Sequence, residues 1–120
     1  MTLLTAGPFT VTGTCYINGG GYTEAQTYVT TSQDHAALDD YHGSAHADFN
    51  VATGKSYIGY DAQSMPGTPD FTGPNDGTTT FTSASGLTTV NLATNDGTYV
   101  GSAGGATVPA CTFSGVYTTY

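Results

Sequence analysis

Phe9-Thr10-Val11-Thr12-Gly13-Thr14-Cys15-Tyr16-Ile17 is the stretch whose reading decides the fold. Phe9, Val11, Gly13, Cys15 and Ile17 alternate with Thr10, Thr12, Thr14 and Tyr16. This is the period of two that a strand with one buried face requires. The run therefore predicts a strand with Cys15 on its inner face. Working outward, runs rich in Thr, Val, Tyr and Phe recur near 24–31, 46–51, 56–62, 78–83, 87–92 and 98–102, separated by Gly, Pro, Asn and Asp. In the last run Cys111 and Phe113 alternate with Thr112 and Ser114, so the second cysteine also faces inward. Short strands punctuated by turn residues predict an all-β fold. The expected architecture is an antiparallel β-sandwich, jelly-roll or immunoglobulin-like, built by residues 1–120 as a single domain. The segment from Ala110 to Tyr120 is expected to pair near the N-terminal strand.

Turn chemistry sets the expected boundaries. Asn75-Asp76-Gly77-Thr78 and Asn95-Asp96-Gly97-Thr98 repeat the same four residues. Asn or Asp before Gly tolerates positive φ, so each repeat predicts a hairpin turn joining neighbouring strands. Gly19-Gly20-Gly21 makes a flexible first loop. Met65-Pro66-Gly67-Thr68-Pro69-Asp70 with Gly73-Pro74 makes the longest irregular connection, where contact with a partner is expected. One segment breaks the pattern: Ser32 to Gly43 has an N-cap residue, an acid in the first turn, a histidine near its end and a glycine stop. Those signals predict a short helix near 33–42, resting Ala37, Leu38 and Tyr41 on the sandwich.

Cys15 and Cys111 stand near the two ends of a 120-residue chain, and neither has the close second cysteine of a zinc or redox motif. They predict a disulfide formed in an oxidising compartment. Lys55 alone opposes nine acidic residues, giving a formal net charge of −8. Nucleic acid and anionic lipid both demand clustered basic side chains, so neither is an expected partner. Only 8% of residues are charged, so Thr, Ser, Asn, Gly and Tyr must cover the surface. That coat suits an extracellular, cell-surface or virion protein. Met1 to Thr5 shows no basic region or long apolar stretch, and direct membrane insertion is not expected. Two routes outward fit: a leader already removed, or a native start at Met1 with release inside a virus particle. The second is the expectation adopted.

The residues offer few sites for chemistry. His35, His42 and His46 fall close to Asp34, Asp39, Asp40 and Asp48. Imidazole and carboxylate within reach of each other are what a zinc, nickel or manganese ion needs, which makes His35, His42, His46 and Asp48 weak metal candidates. No HExxH spacing is present, Gly43-Ser44 would interrupt a helical face, and solvated polar residues are the simpler reading, so no cofactor is predicted. The Asn-Asp-Gly turns do not continue into a calcium-loop pattern. GxSxG, Walker and GxGxxG motifs are all missing, and no serine is singled out for a triad, so a catalytic role is not expected. Nine tyrosines accompany no tryptophan. Tyr16, Tyr22 and Tyr28 fall on outward strand positions, where they can stack on sugars or pair across the sheet. Tyr22, Asp70, Asn75 and Asp76 are the loop candidates for binding.

Gly7-Pro8-Phe9-Thr10-Val11-Thr12-Gly13-Thr14-Cys15, then Gly19-Gly20-Gly21, Asp48-Phe49-Asn50 and Ala110-Cys111-Thr112-Phe113, together cover about a third of the chain. In these segments the sequence resembles a loose group of uncharacterised extracellular β-domain proteins of actinobacteria or their phages. The resemblance implies an extracellular disulfide-stapled sandwich and implies no activity. The leading expectation is a non-catalytic structural or attachment module on a cell surface or virion, such as a capsid-decoration or filament-type protein, working by self-assembly as a homo-oligomer or through contact with a protein surface. A carbohydrate-binding module using Tyr and loop Asn/Asp is the second expectation, and a metal-binding protein using the segment from His35 to Asp48 is the third.

Overall fold

A computed structural model describes residues 1–40, 46–62, 71–103 and 106–120. Among the described residues nine strands form two antiparallel sheets packed as a sandwich. They are β1 (Thr2–Ala6), β2 (Phe9–Ile17), β3 (Thr23–Thr31), β4 (Ala36–Asp40), β5 (His46–Phe49), β6 (Ser56–Ala62), β7 (Phe71–Thr82), β8 (Thr89–Ala103) and β9 (Ala106–Thr119). One sheet runs β1-β2-β3-β6, the other β5-β4-β7-β8-β9. Two meanders, β1-β2-β3 and β7-β8-β9, thus lie in opposite sheets. The immunoglobulin order would place the fifth strand beside the second, a place that β3 takes here.

The alternation read in residues 9–17 is what buries β2. Phe9 and Val11 point into the sandwich with Val29 of β3 and Ile58 of β6, and meet Leu38, Phe49, Phe81, Val90 and Leu92 from the other sheet. Phe9 and Phe81 touch across the interface with ring centroids 5.4 Å apart. Burial of such side chains is the main force holding the sheets together, worth about 1.5–3 kcal/mol for each fully buried one. The β1–β2 hairpin closes through Gly7-Pro8, with Gly7 at φ +56°, a conformation that suits glycine at the first position of a two-residue loop. A Cβ at Gly7 would also sit 2.8 Å from the Thr88 side chain.

The predicted helix does not form over its described part; residues 41 and 42 lie outside the described residues. Ser32 to His35 make a turn, with His35 at φ +60°, and the chain then enters β4. Ala36 and Leu38 are buried while Ala37 is exposed, and Leu38 lies opposite Phe81. A strand buries both side chains against the Phe81 layer and joins the ladder of β7, which outweighs local cap signals. The acid expected in the first helical turn serves another partner, Asp34 Oδ1 accepting the Val51 N–H at 2.9 Å, and the His35 N–H is taken by Asn50 Oδ1 at 2.7 Å.

The Asn-Asp-Gly repeats are not hairpin turns. They lie within β7 and β8 and face each other, Asn75 opposite Asp96 and Asp76 opposite Asn95. Their flanks decide the matter, because Phe81 opposite Val90 and Thr79 opposite Leu92 fix a register that carries both repeats into the ladder. The expected strands near 87–92 and 98–102 are therefore one strand, and β7 turns into β8 through residues 83–88, with Gly86 at φ +69°. Gly73-Pro74 coincides with a shift of register between Thr72 and Asn75, which suits a residue that cannot donate to the ladder. The irregular connection expected from Met65 to Pro74 thus yields residues 71–74 to β7, and residues 63–70 lie outside the described residues.

β9 hydrogen-bonds only to β8 among the described strands and forms the edge of its sheet. It faces β2 across the sandwich instead of pairing beside the N-terminal strand. The Cys15–Cys111 disulfide makes that link, with Cα atoms 5.8 Å apart and 96 residues between them. Two positions along, the Phe113 ring lies over Gly13, where a Cβ would come within 3.0 Å. Cys15 is exposed and Cys111 half-buried, so the bridge closes one end of the sandwich beside the core.

Candidate functional site

Among the described residues three places gather side chains that can do something. The first is the turn between β3 and β4. His35 Nδ1 donates to Asp48 Oδ1 at 2.9 Å, both residues being well exposed. The hydrogen bond from His35 holds the Asp48 carboxyl below the usual carboxylate range. A bond from the Asn50 side chain acts in the same direction, desolvation opposes both, and the electrostatic attraction of His35 adds a lesser lowering. Of the four metal candidates, His35 and Asp48 thus come together. His46 lies in β5 with its backbone opposite Leu38, and His42 lies outside the described residues. Among the described residues no group of three or more His, Cys, Asp or Glu side chains is placed to hold a metal ion.

The second place is the outer face of the β1-β2-β3-β6 sheet. Glu24 is 8% exposed, and its carboxylate accepts three hydrogen bonds: from the Tyr16 hydroxyl at 2.9 Å, Gln26 Nε2 at 2.7 Å and Asn18 Nδ2 at 2.9 Å. Asn18 also shapes the β2–β3 loop, its Oδ1 accepting the N–H groups of Gly20 and Tyr22. The chain continues through Gln26 Oε1, which accepts from the Tyr28 hydroxyl. Tyr28 packs edge-on against Tyr57 at 5.9 Å, and Lys55 Nζ lies 5.2 Å from the Tyr28 ring centre. A buried carboxylate is tolerated here because each oxygen is partnered. The arrangement spends its polar groups on one another and leaves a flat aromatic and amide surface. Tyr22, a predicted binding residue, flanks it as a half-exposed side chain packed on Gly20. Asp70 lies outside the described residues, and Asn75 and Asp76 are strand residues of β7.

The third place is the side of the sandwich where β1 and β9, edges of opposite sheets, run past each other. A cleft of about 340 Å³ opens between them, lined by Leu3, Leu4, Val11, Leu92, Phe113 and Tyr117. β9 beyond it is strongly exposed, Val116 at 75%, Tyr117 at 55% and Tyr120 at 74%. Neither cleft nor edge is visible in sequence, because both depend on which strands end the two sheets. The one available signal is that residues 106–120 contain no Asp, Glu, Lys, Arg or His.

Fold and bridge together define a disulfide-stapled all-β sandwich, a class at home in oxidising surroundings. Among the described residues no helix is long and apolar enough to cross a membrane. No protein-family model, curated protein or solved structure matches the chain.

Proposed function

We propose that the chain is a non-catalytic structural or attachment module displayed outside the cell, on a bacterial surface or a virion, and acting through contacts of its strands with other protein. The observation that carries this reading is the long exposed strand β9 beside an apolar cleft, on a sandwich whose ends are tied by a disulfide. Natural monomers blunt sheet edges with lysine, inward charge or short strands, and β9 has none of these along residues 110–120. An apolar opening beside an unblunted edge is a surface suited to protein contact. Among the described residues the Glu24 carboxylate is taken up by its three hydrogen bonds to Tyr16, Asn18 and Gln26. Cryo-electron microscopy and mass photometry of material from the native source test the reading. Association with a particle, filament or cell envelope is the expected result. A dispersed protein that turns over a substrate overturns it.

Carbohydrate binding is the second reading, favoured by the Tyr28–Tyr57 pair beside Gln26 and Lys55 on a flat sheet face. Sugar rings stack on such aromatic faces. Affinity electrophoresis against polysaccharides, lost in Tyr28→Ala, would carry this reading in place of the first.

A further inference from the structure

The ladder of β8 and β9 runs without a register shift from Val90 opposite Thr119 to Ala103 opposite Ala106. Thr89 and Tyr120 extend it and exchange both of their N–H···O bonds, at 3.2 and 2.9 Å. In an antiparallel pair, residues that bond inward alternate with residues whose N–H and C=O point the other way. Counting back from Tyr120, the residues Thr118, Val116, Ser114, Thr112 and Ala110 bond to β8. Cys111, Phe113, Gly115, Tyr117 and Thr119 therefore turn their backbone groups to the free edge. Pro109 occupies the next position of that outward set, where its missing N–H costs no bond to β8, and it marks where the open row of donors begins.

We infer that this edge pairs with the same edge of a second copy, antiparallel and about a two-fold axis at Gly115. The row from Cys111 to Thr119 is self-complementary about its midpoint: Cys111 meets Thr119 of the second copy, Phe113 meets Tyr117, and Gly115 meets Gly115, using the outward donors and acceptors of those five residues in about ten hydrogen bonds. Length selects this partner. The other sheet edges, β1, β5 and β6, have 5, 4 and 7 residues, and among the described strands only β9, with 14, matches β9. Charge permits it, since a chain of net charge −8 would repel its copy but residues 106–120 carry no charged side chain. The cleft, lined by Thr94 and Ser114 as well as by apolar side chains, adds apolar area to the contact. Phe113 and Tyr117 line it, so pairing brings these side chains of each copy together and sets the two clefts, with Leu3 and Leu4, against one another. Gly115 leaves the axis free of side chains, and a Cβ there would already lie 2.6 Å from the Ala93 carbonyl oxygen. Because the contact is isologous it closes at two copies and builds no fibre.

This rests on the proposed module role and fixes one of its partners. Sedimentation equilibrium of the purified chain should give twice the chain mass. Tyr117→Pro removes one outward N–H without touching the bonds to β8, and should return the mass to that of one chain with the strand signal in circular dichroism kept. Single-cysteine variants test the register where proline perturbs folding. Ser114 and Val116 of the other copy form a non-hydrogen-bonded pair, within disulfide reach. Oxidising a mixture of Ser114→Cys and Val116→Cys protein should give a covalent heterodimer that neither variant alone matches. A wild-type monomer at every concentration, a dimer unchanged by Tyr117→Pro, or cross-linking no better in the mixture than in either variant alone would overturn the pairing. A wild-type monomer still found bound to particles in native material would leave the module role standing, whereas a dimer that is dispersed and catalytic would remove that role and keep the pairing.

Discussion

Glu24 shows at the scale of one residue how an acid survives burial in a protein with few charged side chains. Its three donors come from β2, the β2–β3 loop and its own strand, and removing the carboxylate would leave Asn18, Gln26 and Tyr16 short of an acceptor. Glu24→Ala is expected to cost about 1–3 kcal/mol in urea denaturation, with Glu24→Gln between it and wild type. Asp48 gives a signed dependence on pH. Its folded pKa is lowered, so the folded protein resists protonating it more than the unfolded chain does. Its contribution to stability is whole above the ordinary carboxylate pKa of about 4 and is lost as pH falls through the lowered folded value. Carbon-detected NMR titration should place the Asp48 midpoint below that of a free aspartate, and His35→Ala should bring it back up. The sequence put His35 and Asp48 in one neighbourhood. It could not pair Asn18 with Glu24, because that bond needs the loop geometry of Gly19 to Gly21.

At the scale of elements, competition between local signals and the ladder explains where reading failed. Ser32 to Gly43 carries helix caps, yet Ala36 and Leu38 meet the Phe81 layer only from a strand. Leu38→Ala should cost about 2–5 kcal/mol, while Ala37→Thr, at an exposed strand position, should change stability by less than about 0.5 kcal/mol. Thermal denaturation of both variants checks the contrast. The Asn-Asp-Gly repeats tell the same story. β8 lies between β7 and β9, so its amides near Asp96 and Gly97 are flanked by partners on both sides. Hydrogen exchange should find residues 94–98 protected like the rest of β8; rapid exchange at Asp96 and Gly97 would restore the hairpin turn.

At the scale of the whole molecule, the disulfide joins the second strand to the last across the two sheets. Closing a loop of that length removes about 4–5 kcal/mol of unfolded-state entropy, a large share of the stability of a small domain. Reduction, or Cys15→Ala with Cys111→Ala, should lower the melting temperature by roughly 10–20 °C in calorimetry. An unchanged melting temperature would mean that the two sheets hold without the bridge.

What the sequence by itself determined is the fold class, the inward face of β2 over Phe9, Val11 and Gly13 though not over the exposed Cys15 and Ile17, and the joining of Cys15 to Cys111. These follow from short-range alternation and from the scarcity of cysteine, both local or countable. Only the tertiary structure decided that residues 36–40 are a strand, that Asn75 to Gly77 lies beside Asn95 to Gly97, and that β1 and β9 are the edges bounding an apolar cleft. The physical reason is that strand pairing is a contact between distant residues. Its energy comes from a shared buried layer and a continuous ladder, and neither is encoded in any one stretch of chain.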